Sequence, residues 1–423
     1  MNPKNTLKEI TIDDLVPGMF VVEMDLPWYR TPFLFHKRLI QEDDTIRLMK
    51  QHGIRVVTID TSKGKDVPHE AAGSGSASAK GRPLVPDASG RKGEDPAGPA
   101  PSGQMEGTAH QLYAEAQQAV ERIFADLEQG VPPPSATTKA VVSKILSHVM
   151  EDRAGLLTQL AVQKIKQFDR SLAAHGLDTC VLSLIVAVES GLDEAMRVHL
   201  GAGALVHDAG YVRLPRNLVR RRWECSEPER ILLQQHTKLG LALLTDHHDV
   251  HEDVKRIVAE HHERGDGSGF PAGLTQEAIS QLAKIVGIVD FYDGMVSRRG
   301  GRPAMLPHDA IRQLFLAGER GQFEKSLVEV VIRTIGVYPV GSLIRLNTGE
   351  QAVVVGVNPD QRLKPLVKIT GGPQGESYTN PLQLDLATQV QDRGVRSVLR
   401  VLDPAQERVN IAMYLDDPLS QAA

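Results

Sequence analysis

The chain has 423 residues, 41% of them hydrophobic, and a formal net charge of -5, enough for two or three domains with a substantial core and too acidic for a general DNA binder. Its two cysteines, Cys180 and Cys225, show no Cys-x-x-Cys spacing, which argues against a disulfide framework and a zinc ribbon. The opening Met1-Asn-Pro-Lys-Asn-Thr-Leu-Lys8 is not an apolar signal and no run of about 18 apolar residues stands out, so a cytoplasmic chain without a membrane partner is expected.

Taken in order, residues 1–61 read as a small α+β module. Met19 to Met24 is strand-like, Asp43 to His52 is helical, and Arg55 to Ile59 is a β-branched strand after a turn at Gly53. His36 and His52 are expected to be surface or packing residues. Residues 62–107 are dominated by Gly, Ser, Ala, Pro and Lys, which bury too little to order the backbone, and a disordered linker is predicted. Helical periodicity resumes at Thr108 to Glu128, stopped by Gly130 and Pro132-Pro133-Pro134, and continues through Thr137 to Met150 and Leu156 to Phe168, giving connecting helices over 108–168.

From 169 to 340 the pattern is helix after helix. Near its centre an apolar run ends in Ala204-Leu-Val-His207-Asp208-Ala-Gly210. Imidazole nitrogen and carboxylate oxygen suit borderline divalent cations, and a carboxylate can bridge two of them. A lone His-Asp pair is more often a cap or an ion pair. His175 upstream, however, and His236, His261, His262 and Asp290 downstream bring the candidates to five histidines and two carboxylates at helical sites. Burying so many polar rings without a cation is costly, and a helical bundle can gather them on inward faces. His247, His248 and His251 look like a further cluster but read better as an exposed loop before the helix Val254 to His262. Residues 341–423 alternate in β fashion through Leu343 to Leu346, Ala352 to Val357 and Leu366 to Ile369, a small antiparallel cap, then a less regular end with a candidate strand at Arg408 to Tyr414.

The segment Glu260-His-His-Glu-Arg-Gly-Asp-Gly-Ser-Gly-Phe-Pro-Ala-Gly-Leu274 resembles the hallmark of the HD-GYP family, bacterial metal-dependent phosphodiesterases of cyclic di-GMP. Gly265, Gly267, Gly269, Gly273 and Pro271 also describe, without the family, a tight loop that lets backbone approach a ligand. Phe270 stands where the family name has tyrosine, so the ring is kept and the hydroxyl is lost. The resemblance implies an all-α HD-type bundle, and metal ligands at His175, His207, Asp208, His236, His261, His262 and Asp290, with Asp208 the central catalytic group. It further implies two divalent ions, iron or manganese, and substrate contacts from Gly267, Gly269, Phe270, Pro271, Arg299 and Arg302. Arginine suits phosphate because its planar fork donates two parallel hydrogen bonds.

Three departures bear on activity. Tyr211 replaces a lysine that meets substrate phosphate in the family, a loss of roughly one to two decades in rate. Ser171 replaces the glutamate of members that hold a third ion, and Gly300-Gly301 replace the usual Pro-Tyr between the arginines. The expected activity is cyclic di-GMP hydrolysis, weakened by Tyr211. The alternatives are a receptor or scaffold for cyclic di-GMP or a diguanylate cyclase partner, and a generic HD nucleotide phosphohydrolase. A homodimer is a further expectation.

Overall fold

The computed structural model describes residues 6–25, 38–40, 43–51, 54–65, 103–131, 135–166, 171–245, 247–298, 302–358, 360–389 and 395–415. His36, His52, Arg299, Gly300, Gly301 and most of the 62–107 segment lie outside them. The chain groups into two compact units, Met1–Ala97 and Gly98–Ala423.

In the first unit, β1 (Leu7–Thr11), β2 (Phe20–Met24), β3 (Arg38–Leu39) and β4 (Val56–Asp60) form an antiparallel sheet in the order β1-β4-β2-β3. Helix α1 (Asp43–Gln51) supplies Ile46 and Met49 to a core shared with Met19, Val21, Val57 and Ile59. The α+β reading holds for this module. It gains β1, whose alternation is too exposed to announce itself.

The second unit opens with α2 (Gly103–Glu128), α3 (Ser135–Glu151) and α4 (Arg153–Lys166). Helix α2 starts before the expected Thr108, because Gln104, Met105 and Glu106 are all good helix formers. Next come α5 (Leu172–Glu189) and α6 (Glu194–Val206), a 3-10 turn (Ala209–Arg213), and α7 (Arg216–Arg220), α8 (Glu227–Gln234), α9 (His236–Thr245) and α10 (Glu252–Glu260). The bundle closes with α11 (Gln281–Val296), α12 (Pro307–Glu319) and α13 (Lys325–Ile335).

Helix α5 is the axis, packed by α2, α3, α4, α6, α11 and α13. It is buried continuously from Ala173 to Ala187, so it is apolar nearly all round instead of striped. Its length and mean hydropathy of 1.6 would suit a membrane span, which amends the expectation from composition; 83% of that window is buried inside the fold. Polar residues inside such a helix need partners, and those of His175, Asp178 and Thr179 lead to the functional site.

Strands β5 (Leu343–Leu346), β6 (Gln351–Gly356), β7 (Leu366–Gly371), β8 (Ser377–Asp385) and β9 (Val398–Leu402) make an antiparallel sheet in the order β8-β7-β6-β5-β9. The last strand is Val398–Leu402, not Arg408 to Tyr414. Arg408 has φ 55° and Ile411–Met413 is a single 3-10 turn, which tucks Ile411 and Leu415 against Leu343, Val353 and Leu402.

Candidate metal centre

All seven expected ligands converge. His175 comes from the first turn of α5, His207 and Asp208 from the end of α6, and His236 from the start of α9. His261 and His262 follow α10, and Asp290 lies in the middle of α11. The crossing of the 3-10 turn over α9 depends on Gly210: a Cβ there would lie 1.8 Å from the His236 carbonyl oxygen and 2.6 Å from Gly240 N. Since both obstacles are backbone, Gly210→Ala must push α9 and His236 away. We expect a loss of about 1–3 kcal/mol in stability together with reduced metal content, read by thermal unfolding and elemental analysis; an unchanged metal content would refute the positioning role of this glycine.

The ring tautomers follow from the outer nitrogens. His207 Nδ1 faces the Ala204 carbonyl at 2.8 Å, His236 Nδ1 that of Leu233 at 2.7 Å, and His261 Nδ1 that of Val258 at 3.0 Å. A carbonyl only accepts, so each Nδ1 carries the proton and each neutral ring turns an Nε2 lone pair inward. His175 does the same through Asp293, whose Oδ2 is 2.7 Å from its Nδ1. Inside, acceptors meet acceptors. His175 Nε2 lies 3.2 Å from His207 Nε2 and 2.9 Å from Asp290 Oδ1, and His236 Nε2 lies 3.3 Å from His261 Nε2. Lone pairs that close repel unless a cation or proton lies between them, so this donor set fits divalent metal.

Asp208 joins two ligand groups. Its Oδ2 is 3.6 Å from His175 Nε2, while its Oδ1 is 3.6 Å from both His207 Nε2 and His236 Nε2 and 3.7 Å from His261 Nε2. The two clusters able to hold metal are therefore His175, His207 and Asp208 on one side and Asp208, His236, His261 and His262 on the other. Asp290 straddles them, its Oδ1 toward His175 and His207 and its Oδ2 3.8 Å from His262 Nδ1.

The electrostatics follow from packing. Burial opposes charge on Asp208 and Asp290, yet the surrounding imidazoles outweigh it and hold both carboxyls well below their usual range. Burial also opposes charge on His207, but Asp208 and Asp290 pull its imidazole up to about 9. His236 is pushed down to about 4, mainly by burial, and His262 falls for the same reason. Ionised Asp208 and Asp290 beside neutral His236 and His262 are protonation states that metal ligation requires, whereas His207, held protonated by the two carboxylates, must give up its proton in exchange for a cation.

A second layer was not legible in the sequence. Asp293, one turn beyond Asp290, accepts from His175, from Ser297 Oγ at 3.2 Å and from Lys164 Nζ of α4. Lys164 also donates to Asp178 at 3.0 Å, and Tyr113 of α2 donates to Asp178 at 2.5 Å. The spacing of Asp290 and Asp293 on a helix hints at one shared face, but Lys164 and Tyr113 lie far off in the chain and nothing local marks them.

The glycine-rich loop borders the centre. The Phe270 ring sits 4.7 Å from that of His262 and 6.2 Å from that of His236. Gly267 takes φ 78°, open to glycine at no steric cost, and a Cβ on Gly269 would fall 2.3 Å from Arg264 N. Pro271 follows Phe270, and buried Glu263 anchors the loop by accepting from Ala272 N at 2.7 Å and Leu274 N at 2.9 Å.

Arg302 lies over the Trp223 ring at 4.6 Å. Ser171 caps α5, its Oγ accepting from Ala174 N at 3.1 Å. Tyr211 stacks on His236, ring centroids 4.1 Å apart and 10° from parallel. His251 caps α10, and its ring stacks on His199 at 3.7 Å and 17° beside Asp253. Nearly parallel rings cannot aim in-plane lone pairs at one point, so this trio is a poor metal site despite its composition.

A helical bundle that carries a buried His-Asp pair amid further histidines defines an HD-domain protein. Accordingly, residues 144–327 match the HD domain, residues 7–137 a domain of unknown function, DUF3391, and residues 343–391 a KOW domain associated with HD domain. The chain is 30% identical over 370 residues to cyclic di-GMP phosphodiesterase PA4108 of Pseudomonas aeruginosa, covering 86% of this chain and 85% of that one. It is 31% identical over 151 residues to the cyclic di-GMP phosphodiesterase response regulator RpfG of Xanthomonas campestris, covering 35% of this chain and 39% of that one. Among solved structures, Bd1817, an HD-GYP-type protein from Bdellovibrio bacteriovorus, is similar with TM-score 0.46 and 18% identity, covering 77% of this chain and 98% of that one. The chain belongs to the HD-GYP family of HD-domain phosphohydrolases.

Proposed function

We propose that the protein hydrolyses a phosphodiester bond of cyclic di-GMP at a two-metal centre held by His175, His207, Asp208, His236, His261, His262 and Asp290. The observation that carries this reading is Asp208, which is shared by both ligand groups: its Oδ2 faces His175, and its Oδ1 faces His207 of the same group and His236 and His261 of the other. Divalent cations there, iron or manganese in our reading, would polarise the phosphoryl oxygens and acidify a water near neutral pH. The chain's own contribution is arrangement. Four Nδ1 hydrogen bonds lock the rings of His175, His207, His236 and His261 with their lone pairs inward. Phe270 and the 263–274 loop wall the centre on the His262 side, where Gly267, Gly269 and Pro271 let backbone come close to substrate.

Arg302 and, outside the described residues, Arg299 supply cationic contacts to phosphate oxygens. Ser171 serves as a helix cap and brings no further carboxylate, in keeping with two ions instead of three. Domain bounds of 1–61, 62–107, 108–168, 169–340 and 341–423, a cytoplasmic location and a homodimer go with this reading. Protein prepared anaerobically, loaded with manganese or iron and incubated with cyclic di-GMP should yield a linear dinucleotide or GMP on chromatography. Nucleotide that binds but survives intact at full metal occupancy would instead favour a receptor or a scaffold for a diguanylate cyclase, the reading that Tyr211 motivates.

A further inference from the structure

We propose that Arg222 and Trp223 form a guanine-selective subsite beside the metal centre, a proposal that rests on the cyclic dinucleotide reading above. The argument starts at His236. Tyr211 stacks on that ring at 4.1 Å, the Arg222 guanidinium lies over the Tyr211 ring at 5.7 Å from its centroid, and Arg222 is 5.9 Å from the Trp223 ring. On the indole, Arg302 adds a second guanidinium at 4.6 Å. A continuous ladder of planar groups thus leads outward from a metal ligand to solvent.

The ladder is held in place. Arg222 Nη1 donates to the Val219 carbonyl at 3.0 Å, and Tyr211 packs against Leu214, Leu218 and Leu233. At its end Trp223 keeps 43% of its surface exposed, unusual for an indole already flanked by two arginines. A cavity of about 530 Å³ is lined by Tyr211 and Arg222 of the ladder, together with Ser171, Arg220, Glu121 and Glu128, a volume within the usual range for small-molecule sites.

The chemistry that suits this arrangement is a purine with two acceptors on one edge. Guanine offers O6 and N7 to an arginine fork, whereas adenine offers N7 beside an N6 donor that an arginine, donor-only, must repel. The exposed indole provides the face on which such a base stacks, and arginine planes extend the same surface. A cyclic dinucleotide with one phosphate at the cations necessarily carries a base and its second phosphate outward, toward such a ladder. The cavity lining carries Arg216, Arg220 and Arg222 against Glu121 and Glu128, with Arg216 paired to Glu128, a small positive balance along that route.

The test compares full-length, metal-loaded wild type with Arg222→Ala, Arg222→Gln and Trp223→Leu, using cyclic di-GMP and cyclic di-AMP. Trp28 and Trp223 are the two tryptophans of the chain, so a Trp28→Phe background lets quenching of Trp223 report binding independently of turnover. Wild type should favour the guanine dinucleotide in Kd and kcat/KM, Arg222→Ala should weaken its binding by about ten- to hundredfold, and Arg222→Gln should move the preference toward adenine, because an amide can pair with adenine N6 and N7. Metal content and unfolding temperature should stay at wild-type values in all three variants. Turnover by wild type with the base preference unchanged in Arg222→Gln and Arg222→Ala would overturn the subsite alone. A wild type that neither binds nor cleaves cyclic di-GMP would sink the substrate reading and the subsite together.

Discussion

Asp208→Asn is expected to abolish metal retention at both ligand groups and to lower turnover by at least about three decades. The substitution keeps the shape of the side chain but removes the charge that faces His175 through one oxygen and His236 and His261 through the other. Cations that polarise the phosphoryl group contribute several kcal/mol to the transition state, and about 4 kcal/mol lost there corresponds to a thousandfold in rate. Because the residue is shared, metal should be lost from both groups at once. His262→Ala, which touches one group, should spare the other. Elemental analysis of the two variants separates the cases; an Asp208→Asn protein that keeps one ion per chain would show that Asp208 does not bridge.

Asp293→Asn should lower metal affinity by about ten- to a hundredfold, with KM for substrate close to wild type. Its carboxylate is the acceptor that fixes the His175 tautomer and is itself held by Lys164 and Ser297. An amide in its place can turn its NH2 toward His175 and favour the wrong tautomer, directing a proton instead of a lone pair at the centre. Lys164→Met should act differently. It leaves Asp178 and Asp293 buried without their shared cation, and the expected cost falls mainly on folding, about 3–5 kcal/mol. Metal titration and chemical denaturation of the two variants read these effects apart. Equal metal affinity in Asp293→Asn and wild type would refute the positioning role of Asp293. Since Lys164 comes from α4, the same pair of measurements also tests whether that connecting helix forms part of the site's scaffold.

The sequence alone determined the seven candidate ligands and the fold class. Histidines and aspartates stand out chemically, and their cost of burial makes a cluster of them conspicuous in a helical stretch. Helix α8, just ahead of His236, opens on a capping box from Ser226 to Glu229, and α11, which carries Asp290, opens on a Ser280 cap. Strands β5, β6 and β7 of the C-terminal sheet showed through β-branched alternation, whereas β8, β9 and the turn at Ile411 did not, because their conformation is set by what they pack on.

Only the tertiary structure decided how the ligands divide. That Asp208 faces two groups, that Ser171 is spent on a helix cap, that Tyr211 lies flat on His236 and that Arg302 rests on Trp223 are all consequences of helices crossing. The buried chain from Tyr113 through Asp178, Lys164 and Asp293 to His175 joins residues far apart in sequence. Side-chain chemistry is written residue by residue and can be read locally. The distances that turn it into a site arise from packing between elements, where each partner is chosen by the fold and not by its neighbours along the chain.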